Sequence, residues 1–140
     1  MLARWSSLLL IPLLSLLACG SDDSSSSNSC PSDPNKAPII DSLDSSAEVA
    51  AANGRYVAPV TVKFHDENCD AVTKVRVRIP AGNYDETTTI RDAVPDAKGA
   101  TVTLDFDAAT VAAGNYEYFV SVFDAKGLES EAKSKTITFK

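Results

Sequence analysis

Histidine occurs once in the 140 residues, at His65, and cysteine three times, at Cys19, Cys30 and Cys69. No pair of cysteines has C-x-x-C spacing, so a structural zinc site is excluded. There is no G-x-S-x-G elbow, no glycine-rich phosphate loop and no H-E-x-x-H run. His65 stands on an alternating segment without a spaced serine partner, and carboxylates cluster only in loops. These gaps argue against an enzyme. The longest apolar run, Leu8 to Leu17, is about ten residues, half of the roughly 20 that a spanning helix needs. Basic residues are the minority, 13 against 19 acidic. Nucleic acid, which wants a basic face, is thereby excluded as a partner, and so is electrostatic adhesion to anionic lipid.

What is present begins with a three-zone leader. Arg4 precedes the apolar run, and the small residues Ala18, Cys19 and Gly20 close it. That order is a signal peptide pattern over residues 1–18. Pro12 weakens a helix there, which a transient export segment tolerates. Residues 19–36 are rich in Ser, Asp, Asn and Pro and hold no large apolar side chain. They cannot bury enough surface to fold and read as a disordered tether. The 18 or so residues from Cys19 to Ala37 would span roughly 24 Å as a flexible coil. Cleavage after Ala18 removes Arg4 and leaves 12 basic and 19 acidic residues, a formal charge of −7.

The quartet Leu16-Leu17-Ala18-Cys19 resembles the lipobox of bacterial lipoproteins. The resemblance implies a diacylglycerol on the Cys19 sulfur, cleavage just before it and acylation of the new amine. Two or three acyl chains make such an anchor stable where one would not. Gly20, in place of aspartate, resembles lipoproteins sent to the outer membrane. Ser21-Asp22-Asp23 resembles a short acidic surface-export signal. The expected location is therefore the outer membrane, on its periplasmic face or at the cell surface.

Residues 37–140 form one domain, long enough to bury a core unaided. Their hydrophobic period is two. Val60, Val62 and Phe64 alternate with Thr61, Lys63 and His65. Val75, Val77 and Ile79 alternate with Lys74, Arg76 and Arg78. Val102, Leu104 and Phe106 alternate with Thr101, Thr103 and Asp105. Tyr116, Tyr118, Val120 and Val122 share one face, as do Ile137 and Phe139. Each segment reads as a half-buried antiparallel strand. Pro38 to Leu43 reads as a first strand, and "ETTTIRDA", residues 86–93, as a short extra one. Turn chemistry at Asn53-Gly54, Asp66 to Asp70, Ala81 to Asn83, Lys98-Gly99, Ala113 to Asn115 and Asp124 to Gly127 separates them. "DAATVAAG" suits a single helical turn. No long helix is expected; "SSAEVAAAN", from Ser45 to Asn53, is the best alternative helical stretch, and Gly54 would stop it. The expectation is an all-β, antiparallel β-sandwich of about seven strands.

The terminal stretch "AGNYEYFVSVFDAKGLES", Ala113 to Ser130, resembles the ending of bacterial immunoglobulin-like and fibronectin type III-like domains. By that resemblance Tyr116 is a tyrosine corner, its ring buried and its hydroxyl returning to backbone. Two departures stand against an antibody-type domain. Trp5 leaves with the leader, so no tryptophan marks the third strand, and the second and sixth strands lack the inter-sheet cysteines.

Cys30 and Cys69 remain once Cys19 is modified, and an even pair in an exported chain reads as a disulfide. Closing its loop of about 40 residues would stabilise by roughly 4 kcal/mol in the chain-entropy model. Antiparallel first and second strands would put both cysteines at one pole, fastening the tether to the domain. That pole also gathers oxygen ligands. Asp66, Glu67, Asn68 and Asp70 lie in one loop and Asp124 in another, and calcium wants six to eight such oxygens. Turn capping by the same aspartates is the competing account. No other cofactor is implied. On the opposing strands, Arg76 and Arg78 would lie beside Phe119 and Phe123, either as a self-covering face or as a docking surface for a protein partner. The functional expectation is a lipid-anchored envelope module that binds or scaffolds without catalysis. The alternatives are a calcium-assisted adhesin or carbohydrate-contacting module at the surface, and a small subunit or inhibitor of an envelope complex.

Overall fold

The computed structural model describes residues 36–140. The leader, Cys19, Cys30 and all of the tether but Lys36 lie outside the described residues. Eight strands follow in order: β1 (Ile39–Ser45), β2 (Glu48–Val49), β3 (Arg55–His65), β4 (Val72–Ile79), β5 (Tyr84–Thr89), β6 (Gly99–Asp107), β7 (Gly114–Asp124) and β8 (Lys133–Phe139). One 3₁₀ turn, Pro80–Gly82, links β4 to β5. The strands form two sheets, β1-β3-β6 and β2-β8-β7-β4-β5. The outcome is an immunoglobulin-like β-sandwich, one strand richer than the expected seven.

Alternation of side chains assembles this arrangement. Along β3, Tyr56, Ala58, Val60, Val62 and Phe64 are buried and the residues between them are exposed or half-buried. The facing sheet contributes Val75, Val77, Ile79, Tyr118, Val120, Val122, Ile137 and Phe139. These inner faces make one core. At one end of it, Tyr56 stacks on Phe139 at 4.7 Å, and Phe106 meets Phe139 edge-on at 5.6 Å. The Tyr118 hydroxyl, on a fully buried ring, hydrogen-bonds the Ser45 hydroxyl at 2.9 Å and ties β7 to β1 of the other sheet.

Local chemistry closes the strands where the turns were expected. Asn53 and Gly54 both have positive φ, 52° and 76°, as a two-residue hairpin demands. Ala52 and Arg55 exchange both backbone hydrogen bonds across them. The Tyr116 hydroxyl donates to the Ala112 carbonyl at 2.9 Å, the tyrosine-corner bond, although its ring is only half-buried against Phe139. At Asp107 a single turn closes: the Val111 amide donates to the Asp107 carbonyl, and Asp107 Oδ1 caps Ala109.

The alternative helical stretch, Ser45 to Asn53, is not helical. Three expectations are corrected. Glu48 and Val49 form β2, which pairs in parallel with Thr138 and Phe139 of β8, so the sandwich is not wholly antiparallel. The buried Val49 explains this: its side chain closes the core, and its carbonyl accepts from the Lys140 amide. The second long strand starts at Arg55, ahead of Pro59, not at Val60. Pro59 pairs with Thr103 of β6 but lies just beyond the last β1 partner, Val60, so its missing N–H removes no bond to β1. The extra strand before Ile90 begins at Tyr84 and ends at Thr89.

Candidate functional site

One pole of the sandwich collects the ends of β3 and β7 and the beginnings of β1 and β4. Ile39 pairs with His65, and Val72 pairs with Asp124. Two loops meet there, and they share one construction. In the first, Asp66 Oδ1 accepts from the amides of Asn68 (3.0 Å) and Asp70 (3.2 Å). In the second, Asp124 Oδ1 accepts from the amides of Lys126 and Leu128, both at 2.8 Å. The fourth residue of each loop, Cys69 or Gly127, sits at positive φ and donates its amide to the aspartate carbonyl. Aspartate is the residue for this task because its short carboxylate bonds the backbone two residues on.

Those bonds use one oxygen of each carboxylate. The other oxygens, Oδ2 of Asp66 and Oδ2 of Asp124, are buried and have no hydrogen-bond partner. Asn68 Oδ1 is in the same condition. Asp66 is 4 % exposed and Asp124 1 %. Asp70 closes the group: its Oδ2 accepts from Asn68 Nδ2 and from Lys126 Nζ, each at 2.6 Å. Lys126 thus joins the two loops. Its pKa is raised, first by the hydrogen bond to Asp70 and further by the charges of Asp70, Asp124 and Asp66. Glu67 does not join this group. It pairs with Lys36, whose hydrogen bond holds the Glu67 carboxyl below its ordinary value. Among the described residues, no group of three or more His, Cys, Asp or Glu is gathered so as to enclose a metal ion. His65, next to this loop, bonds Asp41 through Nδ1 at 2.7 Å and stays half-exposed.

The second candidate lies on the outer face of the larger sheet. β4 and β7 pair Arg78 with Phe119, Arg76 with Ser121 and Lys74 with Phe123. The Arg78 guanidinium carbon stands 6.0 Å from the Phe119 ring centroid, a cation–π contact. Arg76 behaves differently from its neighbour. Asp85 of β5 takes its Nε at 2.7 Å and its Nη2 at 2.5 Å. Glu129 approaches its Nη1 at 3.8 Å and accepts from the Ser121 hydroxyl at 2.5 Å. Asp85 raises the Arg76 pKa, and Arg76 lowers that of Asp85. Arg76 is therefore committed to a polar network across β5, and Phe123 has Lys74 opposite it instead. Sequence reasoning missed Asp85, Glu129 and Lys126. The first two depend on strand register, and Lys126 had read only as part of a hairpin.

A cavity of about 420 Å³ opens beside β1, lined by Ala37 to Ile40, Glu129 and Glu131 to Lys133. No helix among the described residues is long and apolar enough to cross a membrane.

No protein-family model matches the sequence, and no curated protein matches it. Solved structures are similar in outline. The PKD domain of an M14-like peptidase from a Thermoplasmatales archaeon is 21 % identical, with a TM-score of 0.49 over 75 % of this chain and 97 % of that one. The CARDB domain of a Pyrococcus furiosus protein, solved in complex with di-metal ions, is 14 % identical, with a TM-score of 0.45 over 74 % and 85 %. A Niemann-Pick type C2 protein from the Japanese carpenter ant is 8 % identical, with a TM-score of 0.45 over 75 % and 94 %. At these TM-scores the likenesses carry no argument about function.

Proposed function

We propose that this chain is a lipid-anchored module of a bacterial envelope that binds or scaffolds a protein partner and catalyses nothing. The lipid belongs on Cys19, as the Leu16-Leu17-Ala18-Cys19 quartet implies, and the outer membrane is the expected host. The observation that carries the binding role is the half-exposed Arg78–Phe119 pair in the outer face of the larger sheet. Arginine and aromatic side chains are the enriched currency of binding hot spots, and Phe123 extends the patch. Arg76 supports the patch from within rather than facing a partner, because Asp85 and Glu129 occupy it.

The Cys30–Cys69 pairing belongs to the same reading. It is supported by the disulfide-bonded state of Cys69 and by the approach of Lys36 to Glu67, two residues from that cysteine. The bond would fix the base of the tether to the acidic pole.

Mass spectrometry of the full chain from a two-membrane host tests the anchor. The expected species begins at an acylated Cys19 and partitions into detergent, whereas Cys19→Ser is unmodified and aqueous. An unmodified wild-type sulfur would overturn this part. Crosslinking in intact cells, with Phe119→Ala and Phe123→Ala compared with wild type, tests the face. Both variants should fold and lose the crosslinked partner. Undiminished crosslinking would remove the face from the proposal.

A further inference from the structure

The two-loop pole holds more negative charge than turn formation uses. Each loop needs one aspartate oxygen for its backbone amides, and the structure shows that oxygen fully employed. The remaining oxygens of Asp66 and Asp124 are withdrawn from water without a donor, and Asn68 Oδ1 is withdrawn with them. Burying a carboxylate oxygen unpaired is costly. Three such oxygens in two adjoining loops call for a common cation. Part of that role falls to the Lys126 ammonium, which bonds Asp70. Yet one ammonium faces three carboxylates, Asp66, Asp70 and Asp124, and it leaves the buried oxygens without a hydrogen bond.

We propose that this pole binds a calcium ion, taken up by Asp66 Oδ2, Asn68 Oδ1 and Asp124 Oδ2, with Asp70 released to it as Lys126 swings out. Binding is then an exchange of one cation for another. With the lysine in place, no group of three or more His, Cys, Asp or Glu among the described residues is gathered to hold a metal ion, so the exchange requires the loops to rearrange. The donors are hard oxygens on two irregular loops, which suits calcium and its tolerance of irregular coordination. Magnesium demands a stricter octahedron and gives up water reluctantly. Water and loop carbonyls complete the six to eight positions. Asp66 and Asp124 already have fixed orientations, because their other oxygens are pinned by backbone amides, so little side-chain freedom is lost on binding. The proposal does not depend on the lipid anchor or on the Arg78–Phe119 face.

The test uses the full chain in detergent, stripped with a chelator and titrated with calcium alone. Calorimetry should show one saturable site, with a Kd on the order of 10⁻⁴–10⁻³ M as in extracellular modules, and the melting temperature should rise with it. Magnesium at equal concentration should do much less. Asp66→Asn and Asp124→Asn keep an acceptor for the turn but replace the free oxygen with an amide nitrogen, and each should abolish the response. Lys126→Met should tighten calcium binding by about tenfold, because a competing unit charge is gone. If the lysine is instead the resident partner of a purely structural cluster, Lys126→Met lowers the melting temperature and calcium restores nothing. That result overturns the proposal, even if the two asparagine variants fail to fold. So does an absence of heat and of thermal shift at about 10 mM calcium in wild type and Lys126→Met alike. An unchanged response in both asparagine variants would place any binding elsewhere and overturn it too.

Discussion

Replacing Asp124 with alanine probes the hairpin that joins the last two strands. Its Oδ1 accepts two backbone amides, from Lys126 and Leu128, both at 2.8 Å. The side chain is almost wholly buried. Hydrogen bonds to a charged acceptor contribute about 1.5–3 kcal/mol each when shielded. Lys126 and Gly127 are exposed, so water can reach part of this turn and recover some of that loss. The net destabilisation expected for Asp124→Ala is therefore about 2–4 kcal/mol. For a domain of this size each kilocalorie lowers Tm by roughly 4–8 °C, so a fall of roughly 8–32 °C follows. Asp124→Asn keeps an oxygen in place for the two amides, loses the charge and puts an amide nitrogen where Oδ2 stood. Neutral bonds have roughly half the strength of charge-assisted ones, so a cost of about 1 kcal/mol is expected. Urea titration monitored by tyrosine fluorescence, with chelator throughout, measures both variants without a cation contribution. An Asp124→Ala protein within about 0.5 kcal/mol of wild type would show that the loop closes without its aspartate. Equal losses for alanine and asparagine would show that charge, and not the two amide bonds, fixes the turn.

Gly99→Ala places a Cβ 2.7 Å from the Val62 carbonyl oxygen, a backbone atom that cannot move aside cheaply. Thermal melts should show a loss of about 1–3 kcal/mol, the usual cost of overpacking; an unchanged Tm would mean that β6 shifts freely at its first residue. Tyr118→Phe removes only the inter-sheet bond to Ser45 and should cost about 0.5–1.5 kcal/mol by urea titration, with a larger loss pointing to repacking of the ring. Burial raises the pKa of Tyr84 and of Tyr118, and the bond to Glu86 raises Tyr84 further. A raised phenol pKa stabilises the fold in full below the unfolded value of about 10 and loses that contribution as pH climbs toward the folded one. Urea midpoints should therefore fall between about pH 9 and pH 11, and Tyr84→Phe should flatten the slope; an identical slope in that variant would remove Tyr84 as a cause.

The sandwich was legible because its signal is local. Val75, Val77 and Ile79, or Val102, Leu104 and Phe106, announce a buried face at every second residue, and no distant contact is needed to see it. The first half of β3 was hidden by Pro59, which reads as a stop until the length of β1 is known. β2 was hidden by composition. Alanines around Glu48 and Val49 favour a helix in isolation, but the partners that settle the matter, Thr138 and Phe139, lie about 90 residues away. The outer face was read half correctly for a similar reason. The pairing of Arg78 with Phe119 follows from β4 lying beside β7, whereas the claim of Asp85 on Arg76 depends on the register of β5, which no pattern in Tyr84 to Thr89 reveals. At the pole, aspartates at turn positions were visible. That each spends one oxygen on amides and buries the other is a property of the folded loops alone.

The two proposals bear on each other through the path of the chain. Lys36 reaches Glu67, and Ile39 pairs with His65, so the polypeptide enters the domain beside the loop of Asp66 to Asp70. Lys140 lies at the other pole, paired with Glu48. If Cys19 is lipidated as proposed, the chain leads from the anchor into the acidic pole, and the turn at Asn53-Gly54 lies at the opposite one. An acidic pole close to anionic lipid is repelled over about a Debye length, roughly 8 Å at physiological salt. A bound calcium would cancel two of the three carboxylate charges of Asp66, Asp70 and Asp124, while the displaced Lys126 keeps its own charge at the same pole. The cation would then alter how closely the domain approaches its membrane as well as how stable it is. Flotation of an acylated chain on anionic vesicles cannot read this, because the proposed lipid would hold it there in any case. Fluorescence energy transfer from the Asn53-Gly54 turn to labelled lipid can. Calcium should move that turn measurably, and Asp124→Asn should leave it where it was. Movement of equal size in both proteins would assign the change to the lipid rather than to the pole.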